Sequence, residues 1–453
     1  MTAFALLLAM AAYAAVGLAL EERIPAGIGW YAGGLALLFG VAHAVVRRVA
    51  PYADPLLLPC VALLNGLGLA LIHRVDLAEA ERATQLGREL PNADAPSQLA
   101  WTALGVVLFV AVLLVVRDHA TLQRYTYTAG FGALALLLLP LVPGIGVEIN
   151  GARIWLRVAG FSVQPGEFAK LALAVFFAGY LVAKRDVLAL ASRRFAGVDL
   201  PRGRDLGPVL VAWLASLGVL VLQRDLGTSL LYFGLFIVVL YVATERTSWL
   251  LIGLALFLGG SYAAYLVVDR VQQRVSIWLD PFADAAGRGY QVVQSLFGLG
   301  TGGIFGTGLG QGRPEIVPYA KTDFIVATLG EELGLIGVMA VLVLYALVVE
   351  RGLRTALGVR DSFGKLLAAG LSFSLALQVF TVVGGATRLV PLTGLTLPFL
   401  SYGGSSLVAN YALIALLLRI SDAARRPGPG LVTPAGPAAR TGEMEAVTQV
   451  VRR

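Results

Sequence analysis

Long apolar runs, separated by short polar connections, dominate this chain. Most runs approach 20 residues, the length that a helix needs to cross a hydrocarbon core about 30 Å thick. The pattern predicts twelve membrane-spanning helices, at residues 3–20, 29–46, 55–73, 99–116, 126–142, 166–183, 207–223, 228–244, 248–269, 324–349, 364–383 and 400–419. The predicted fold class is therefore an all-α polytopic membrane protein of about twelve helices.

Composition supports the membrane class and excludes others. The chain is 58% hydrophobic and only 14% charged, well outside the balance of a soluble domain. Its single cysteine, Cys60, lies inside an apolar run, which excludes an intramolecular disulfide and a cysteine metal cluster. The net charge of +7 is spread over short connections rather than gathered on one face, so nucleic acid is not an expected partner.

The distribution of basic residues predicts the orientation of the helices. Short connections on one side carry most of the arginines and lysines, among them Arg47, Arg48, Arg351 and Arg354. The positive-inside rule places that side in the cytoplasm. Both termini are therefore expected in the cytoplasm, and the long polar segment at about residues 270–323 is expected on the outer face as a loop.

This long segment concentrates charge in a chain that has little of it. Its run from Gly298 to Gly310 is too glycine-rich for a stable helix and predicts backbone that closely approaches another group or bends sharply at membrane depth. Asp323 stands at the mouth of the next apolar helix, where it serves either chemistry or only as an N-cap. Whether Glu331 and Glu332 act chemically or only satisfy helix ends stays open.

Two further charged sets lie in or beside the apolar runs. Glu167 and Lys170 are three residues apart, on one helix face, and form either a polar cavity floor or a self-neutralising ion pair. Arg153 lies in a short outer connection; its guanidinium suits phosphate oxygens, and anchoring to lipid headgroups is the alternative. An outer carboxylate near cations fits glycosyl transfer, with a general base and a stabilised leaving phosphate. Proton relay in a transporter would use the same residue types.

Several motifs follow one another along the chain: Asn150–Arg153, Gln164–Lys170, Asp225–Thr228, Gly289–Gln291 with Gln294 and Ser295, Thr322–Ile325 with Glu331–Gly334, and Leu397–Ser406. In this order they resemble the SEDS family of bacterial shape, elongation, division and sporulation proteins, which includes RodA and FtsW. The resemblance covers about residues 54–420 and is greatest to the actinobacterial RodA branch.

The resemblance implies a core of about ten helices with an outer catalytic loop. Residues 1–50 would then be an extra helix pair, residues 51–422 the polymerase core, and the Pro- and Gly-rich residues 423–453 a disordered cytoplasmic tail. The implied activity is peptidoglycan glycosyl transfer from a lipid-linked glycan to the 4-hydroxyl of lipid II, releasing undecaprenyl pyrophosphate. The implied partner is a class B penicillin-binding protein, a transpeptidase.

The resemblance also implies roles for single residues. Asp323 falls on the family's essential loop aspartate and would be the general base. Arg153, Glu167, Lys170 and Asp225 fall on motif positions that line the central cavity.

Two residues depart from the family's usual pattern. Arg224 stands where the family often has proline. Lys321 stands where the family often has histidine; its charge is expected to keep Asp323 ionised or to contact pyrophosphate. Arg274, in the same long segment, is a further candidate for pyrophosphate binding or for lining the cavity.

Two other function classes and one cofactor question stay open. A lipid II flippase would share the charged cavity but would not need an outer carboxylate for turnover. A membrane scaffold that only recruits a transpeptidase would not need buried charges at all. The sequence has no dedicated metal motif, and a divalent cation, Mg²⁺ or Mn²⁺, that assists the pyrophosphate leaving group is an alternative to purely cationic side chains.

Overall fold

The computed structural model describes residues 1–149, 151–158, 160–189, 192–195, 198–201 and 207–427. Within them the chain is mainly helical. The helices are α1 (Thr2–Glu21), α2 (Ile28–Val49), α3 (Leu57–Gln85), α4 (Ala95–Val115), α5 (Thr126–Leu138), α6 (Pro165–Ala189), α7 (Gly207–Gln223), α8 (Leu226–Thr244), α9 (Ser248–Val267), α10 (Asp269–Leu279), α11 (Tyr290–Gly302), α12 (Ile325–Gly358), α13 (Ser362–Ala386) and α14 (Gly404–Arg425).

The helices confirm the polytopic membrane fold. Each of the twelve apolar runs falls on a helix, and ten helices in the described residues are long and apolar enough to cross a membrane. Helix α5 has 13 residues, fewer than a straight span requires, and α7 has 17, at the lower limit of that length. The predicted runs therefore identify the helices correctly; the run at 126–142 overestimates the length of α5, whereas the run at 207–223 has the bounds of α7.

Burial separates an inner set of helices from an outer set. The apolar windows of α3 and α14 are 83% and 89% buried within the protein, whereas those of α1 and α2 are 28% and 22% buried. Helix α1 packs on α3, α4 on α14, and α12 on α13. The N-terminal helix pair thus lies on the outside of the bundle, and the most buried helices carry the polar groups described below.

Two small β-structures were not predicted. An antiparallel sheet, β1 (Gly146–Ile149), β2 (Ala152–Val158) and β3 (Phe161–Val163), connects α5 to α6, with Gly146 opposite Leu156 and Leu156 opposite Val163. A second hairpin, β4 (Ser192–Phe195) and β5 (Val198–Pro201), precedes α7. Strands this short give little periodic signal between strong apolar runs, which explains why the sequence pattern missed them.

The long polar segment is more helical than the sequence suggests. It contains α10, α11 and short 3₁₀ turns, and α11 includes part of the glycine run, so the prediction that this run is non-helical is wrong for Gly298–Gly302. The reason is close packing: a Cβ on Gly302 would lie 1.9 Å from the carbonyl oxygen of Gly330 on α12. Beyond Gly302 the backbone leaves the helix, with positive φ at Gly303, Gly306, Gly308 and Gly310.

The predicted tail begins inside a helix. Residues 423–425 belong to α14, and residues 428–453, where most of the predicted disordered tail falls, lie outside the described residues.

Candidate active site

Asp323 lies in the turn that leads into α12. The N-cap of α12 is Phe324, without a side-chain capping bond, so the alternative that Asp323 serves as an N-cap does not hold. Within the described residues no hydrogen bond engages its carboxylate, and the charged groups that act on it are Arg274 and Asp225. The carboxylate is therefore partly buried, and no protein hydrogen bond ties it to another group of the described residues.

The environment of Asp323 tunes its acidity. Burial raises the pKa of Asp323 to about 6, Arg274 opposes that rise and Asp225 adds to it. A carboxylate with a pKa near 6 is mostly ionised at neutral pH and is a stronger base than an exposed aspartate. These properties suit a general base that acts on a hydroxyl group.

Asp225 is the second carboxylate of this charged group. It caps α8, where its side chain accepts hydrogen bonds from the Thr228 amide at 3.1 Å and the Thr228 hydroxyl at 2.5 Å. Burial raises the pKa of Asp225, the two Thr228 bonds and Arg274 lower it, and Glu167 raises it. Glu167, Asp225, Arg274 and Asp323 thus form a single electrostatic group.

Glu167 and Lys170 form the ion pair that their spacing predicts. The Lys170 Nζ lies 2.9 Å from Glu167 Oε2 and also donates to Gln378 at 2.9 Å and Asn410 at 3.5 Å. The two side chains are 1% and 6% exposed. The pair joins α6 to α13 and α14, and buried charges of this kind are stable only when partnered in this way.

Arg274, on α10, is the cation that acts on both Asp225 and Asp323. Its Nη1 donates to the carbonyl oxygen of Leu392 at 2.5 Å, which fixes the guanidinium. Burial and the neighbouring Arg270 lower the pKa of Arg274, whereas Asp225 and Asp323 raise it. Arg274 therefore links both carboxylates to the loop that follows α13.

Lys321 points away from Asp323. Its Nζ lies 2.6 Å from Asp76, 2.7 Å from Glu79 and 2.9 Å from Asp94. Burial alone would lower the pKa of Lys321, but hydrogen bonds to these three carboxylates outweigh it and raise the pKa. The expectation that Lys321 keeps Asp323 ionised or contacts pyrophosphate is therefore corrected: its amine is occupied by α3 and the start of α4.

The same turn has two further anchors. The Tyr402 amide donates to the Lys321 carbonyl oxygen at 2.8 Å, and the Ser401 hydroxyl donates to the Thr322 carbonyl oxygen at 2.6 Å. The Leu397 amide in turn donates to Ser401 Oγ at 3.0 Å. The motif at Leu397–Ser406 thus holds the backbone on either side of Thr322, directly before Asp323.

Glu331 and Glu332 hold the glycine loop in place. Glu332 pairs with Arg74 at 2.5 Å and accepts from the Gly310 amide at 3.2 Å, while Glu331 accepts from the Arg313 amide at 2.9 Å. Arg74 also donates to the carbonyl oxygen of Gly312 at 2.7 Å. These contacts give both glutamates a structural role, which the sequence left open.

Arg74 is a residue that sequence reasoning missed. The predicted run ends at residue 73, directly before Arg74, yet α3 continues to Gln85, and Arg74 and Asp76 both find partners inside the protein. The signal in the sequence is a pair of charges: Arg74 directly after one apolar run, and Glu332 inside a later run.

Arg153 has a partner outside the group of the other candidates. It stands on β2, is 61% exposed, and pairs with Glu148 at 3.1 Å. The structure therefore brings together Glu167, Lys170, Asp225, Arg274 and Asp323, and leaves Arg153 and Lys321 with other partners.

The sequence and the fold are similar to those of known proteins. Residues 55–426 match the family model for cell cycle proteins of the FtsW, RodA and SpoVE type. The chain is 54% identical to the peptidoglycan glycosyltransferase RodA of Mycobacterium tuberculosis, over 94% of this chain and 90% of that protein. It is 38% identical to the stage V sporulation protein E of Bacillus subtilis, over 73% and 87%.

A solved structure gives the same fold. It is that of a peptidoglycan synthase complex, described by its structural coordination of polymerization and crosslinking, with a TM-score of 0.55 and 31% identity over 86% of this chain and 95% of that one.

Proposed function

The chain belongs to the family of the cell cycle proteins FtsW, RodA and SpoVE, and from this we infer that it is a peptidoglycan glycosyltransferase. We propose that it polymerises lipid II into glycan strands and releases undecaprenyl pyrophosphate. The observation that carries the proposal is Asp323, a carboxyl group with a pKa of about 6, no capping role and Arg274 as its cationic neighbour.

The proposed step follows from these two side chains. Asp323 takes the proton of the 4-hydroxyl of lipid II as that oxygen forms a bond to the anomeric carbon of the lipid-linked glycan. The bond from that carbon to the pyrophosphate oxygen breaks, and the departing pyrophosphate keeps the electron pair. Arg274 stabilises the negative charge that develops on it. Glu167, Lys170 and Asp225 form the buried polar group beside Arg274 and Asp323.

We place this reaction on the outer face of the membrane. The ten long apolar helices make the chain a multi-pass membrane protein. Basic residues are in excess in the short connections on the side away from the long polar segment, and this favours cytoplasmic termini. Tagging the N-terminus and the segment near Arg288 with cysteine, and labelling with a membrane-impermeant reagent, tests the orientation.

The proposed protein partner is a class B penicillin-binding protein. The support is the similarity to a structure whose complex coordinates polymerization and crosslinking. Co-purification of the chain with such a transpeptidase, and a higher polymerisation rate in the complex, are the expected results.

A divalent metal ion is a second way to neutralise the negative charge on the leaving pyrophosphate. In the described part of the chain no group of three or more His, Cys, Asp or Glu side chains is arranged to hold one. A Mg²⁺ or Mn²⁺ ion that arrives with the substrate would make the rate fall with EDTA, whereas neutralisation by arginine alone leaves the rate unchanged.

The decisive variant is Asp323→Asn. Purified wild-type protein, alone and with the partner, is expected to convert labelled lipid II into glycan ladders, and Asp323→Asn is expected to give none while still folding. Asp280→Asn is the matched control, because Asp280 lies in the same segment but only accepts hydrogen bonds from the Phe282 and Ala283 amides.

The two other function classes give different results. A flippase would move lipid II across vesicle membranes, and its Asp323→Asn variant would do so as well. A scaffold would make no glycan and would tolerate alanine at Glu167, Lys170, Asp225 and Asp323. Either result overturns the glycosyltransferase proposal.

A further inference from the structure

A basic cleft lies on the side of α10 that faces the end of α13. It is lined by Arg274, Arg288 and Arg388, with Trp278 and Gln291 between them. Across the described residues, none of the three guanidinium groups has a carboxylate within the 4.0 Å that defines an ion pair. Arg274 has Asp225 and Asp323 as neighbouring charges beyond this distance. Three cations gathered in one concave site, without a carboxylate in direct contact, favour an anionic ligand.

Backbone carbonyl groups hold two of these arginines in place. The Arg388 Nε donates to the Trp278 carbonyl oxygen at 2.8 Å, and the Trp278 indole donates back to the Arg388 carbonyl oxygen at 3.2 Å. Arg274 is fixed by its bond to Leu392. Arg388 has a positive φ of 62°, a conformation that a non-glycine residue rarely adopts and that is common at ligand sites. These bonds orient the guanidiniums without neutralising them.

An apolar groove continues from this cleft. Trp278 and Val390 line both the cleft and the groove, which then runs between α8, α9 and α13. Its walls include Phe233, Phe257 and Phe380. The cleft and the groove together therefore match a ligand with an anionic head and a long apolar chain.

We propose that this composite site binds the polyprenyl pyrophosphate of the glycan donor, with its pyrophosphate on Arg274, Arg288 and Arg388 and its chain in the groove. The inference rests on the proposed glycosyltransferase function, because Arg274 is shared between this cleft and the surroundings of Asp323. The leaving group would then depart into the arginine cleft while Asp323 handles the acceptor hydroxyl.

The charge of the site favours a pyrophosphate over an ordinary phospholipid. Arginine guanidiniums bind phosphate oxygens through paired N–H bonds, and three of them suit two adjacent phosphates. A glycerophospholipid presents one phosphate and two short acyl chains. Anionic phospholipid is accordingly the competing ligand in the test.

Binding is measured directly, without relying on turnover. Purified full-length protein is titrated with undecaprenyl pyrophosphate and, separately, with phosphatidylglycerol, and bound lipid is counted by native mass spectrometry. Arg288→Gln is expected to weaken undecaprenyl pyrophosphate binding by about tenfold or more and to leave phosphatidylglycerol binding unchanged. Arg313→Gln is the matched control, since Arg313 is 74% exposed and lies outside the cleft.

A second variant tests the groove. Ser261→Trp places an indole in the groove, because Ser261 lines it. It is expected to weaken binding of undecaprenyl pyrophosphate but not of the shorter farnesyl pyrophosphate, which keeps the test meaningful if an arginine variant misfolds. Equal loss of both lipids, or none, contradicts the assignment of the chain to this groove.

The outcomes separate this inference from the proposed function. If the protein polymerises lipid II but Arg288→Gln binds undecaprenyl pyrophosphate as wild type does, the cleft assignment fails and the enzyme proposal stands. The cleft assignment also fails if Arg288→Gln weakens the binding of phosphatidylglycerol to the same extent as that of undecaprenyl pyrophosphate. If the arginines bind undecaprenyl pyrophosphate selectively and no glycan forms, the enzyme proposal fails and the binding site remains.

Discussion

Replacing Lys321 with methionine should loosen the turn that carries Asp323. Lys321 is 9% exposed and is the cation for Asp76, whose side chain is 5% exposed. Breaking a buried ion pair by removing one partner costs about 3–5 kcal/mol. Asp76 keeps its hydrogen bonds from the Asp94 and Ala95 amides, so the lower end, about 3 kcal/mol, applies to this pair.

The other two ion pairs of Lys321 add less. Glu79 and Asp94 are 39% and 31% exposed, so water screens them and each pair contributes at most about 1 kcal/mol. The expected total is therefore about 3–5 kcal/mol. Lys321→Arg, which keeps the charge, should lose much less.

Hydrogen exchange at the anchored amides measures this loss locally. A loss of about 3 kcal/mol speeds exchange by about 100-fold in peptides that contain the amide of Tyr402, which donates to Lys321. Asp76→Asn combined with Lys321→Met should cost less than the sum of the two single changes. Exchange within about threefold of wild type, or simple additivity, would refute the reasoning.

Activity supplies a second readout for the same variant. Polymerisation should slow because the backbone before Asp323 is less well held. The pH at which the remaining activity falls on the acid side should stay at its wild-type value, because the charges that act on Asp323 are Arg274 and Asp225 rather than Lys321.

Two further predictions concern the glycine loop. Glu332→Gln leaves Arg74 without its carboxylate partner. Because the Arg74 side chain is only 3% exposed, the free energy of unfolding should fall by about 3 kcal/mol. A lower Tm in detergent is the expected result, and an unchanged Tm would contradict the structural role of Glu332. Gly306→Ala should destabilise the loop, because φ is +82° and a Cβ would lie 2.2 Å from the Glu332 carbonyl oxygen. Gly300→Ala is its control, with nothing within 4 Å of a Cβ, and should be neutral or stabilising; equal effects of the two glycine changes would refute the packing argument.

The sequence predicts the helices well because each apolar run carries its own signal. The same reasoning predicted the ion pair between Glu167 and Lys170, since charges beside a span demand a partner or a function; the catalytic role of Asp323 stays a prediction. It assigned Lys321 to the wrong neighbour because Asp76, Glu79 and Asp94 are more than 200 residues away in the chain, and only the folded bundle shows that they meet. Arg74 and Glu332 were missed as a pair for the same reason.

Short strands and tight glycine packing also escaped prediction. The sheet at Gly146–Val163 is held by pairing between neighbouring strands, which a periodic pattern of three to seven residues does not reveal. The helical part of the glycine run depends on α12 lying against it, because Gly302 leaves room for the Gly330 carbonyl group. In isolation that sequence would favour a loop.

The pH dependence of lipid II polymerisation tests the central claim that Asp323 is the general base. Asp323 must be ionised to accept a proton, so kcat/KM should fall as the pH drops through about 6. Arg274 lowers the pKa of Asp323, so Arg274→Gln should move this acid limb to higher pH, while Arg274→Lys should leave it close to its wild-type position. An acid limb near pH 6 that moves upward in Arg274→Gln is the predicted result. A limb near the ordinary aspartate pKa of about 4, or one that Arg274→Gln does not move, would contradict the assignment.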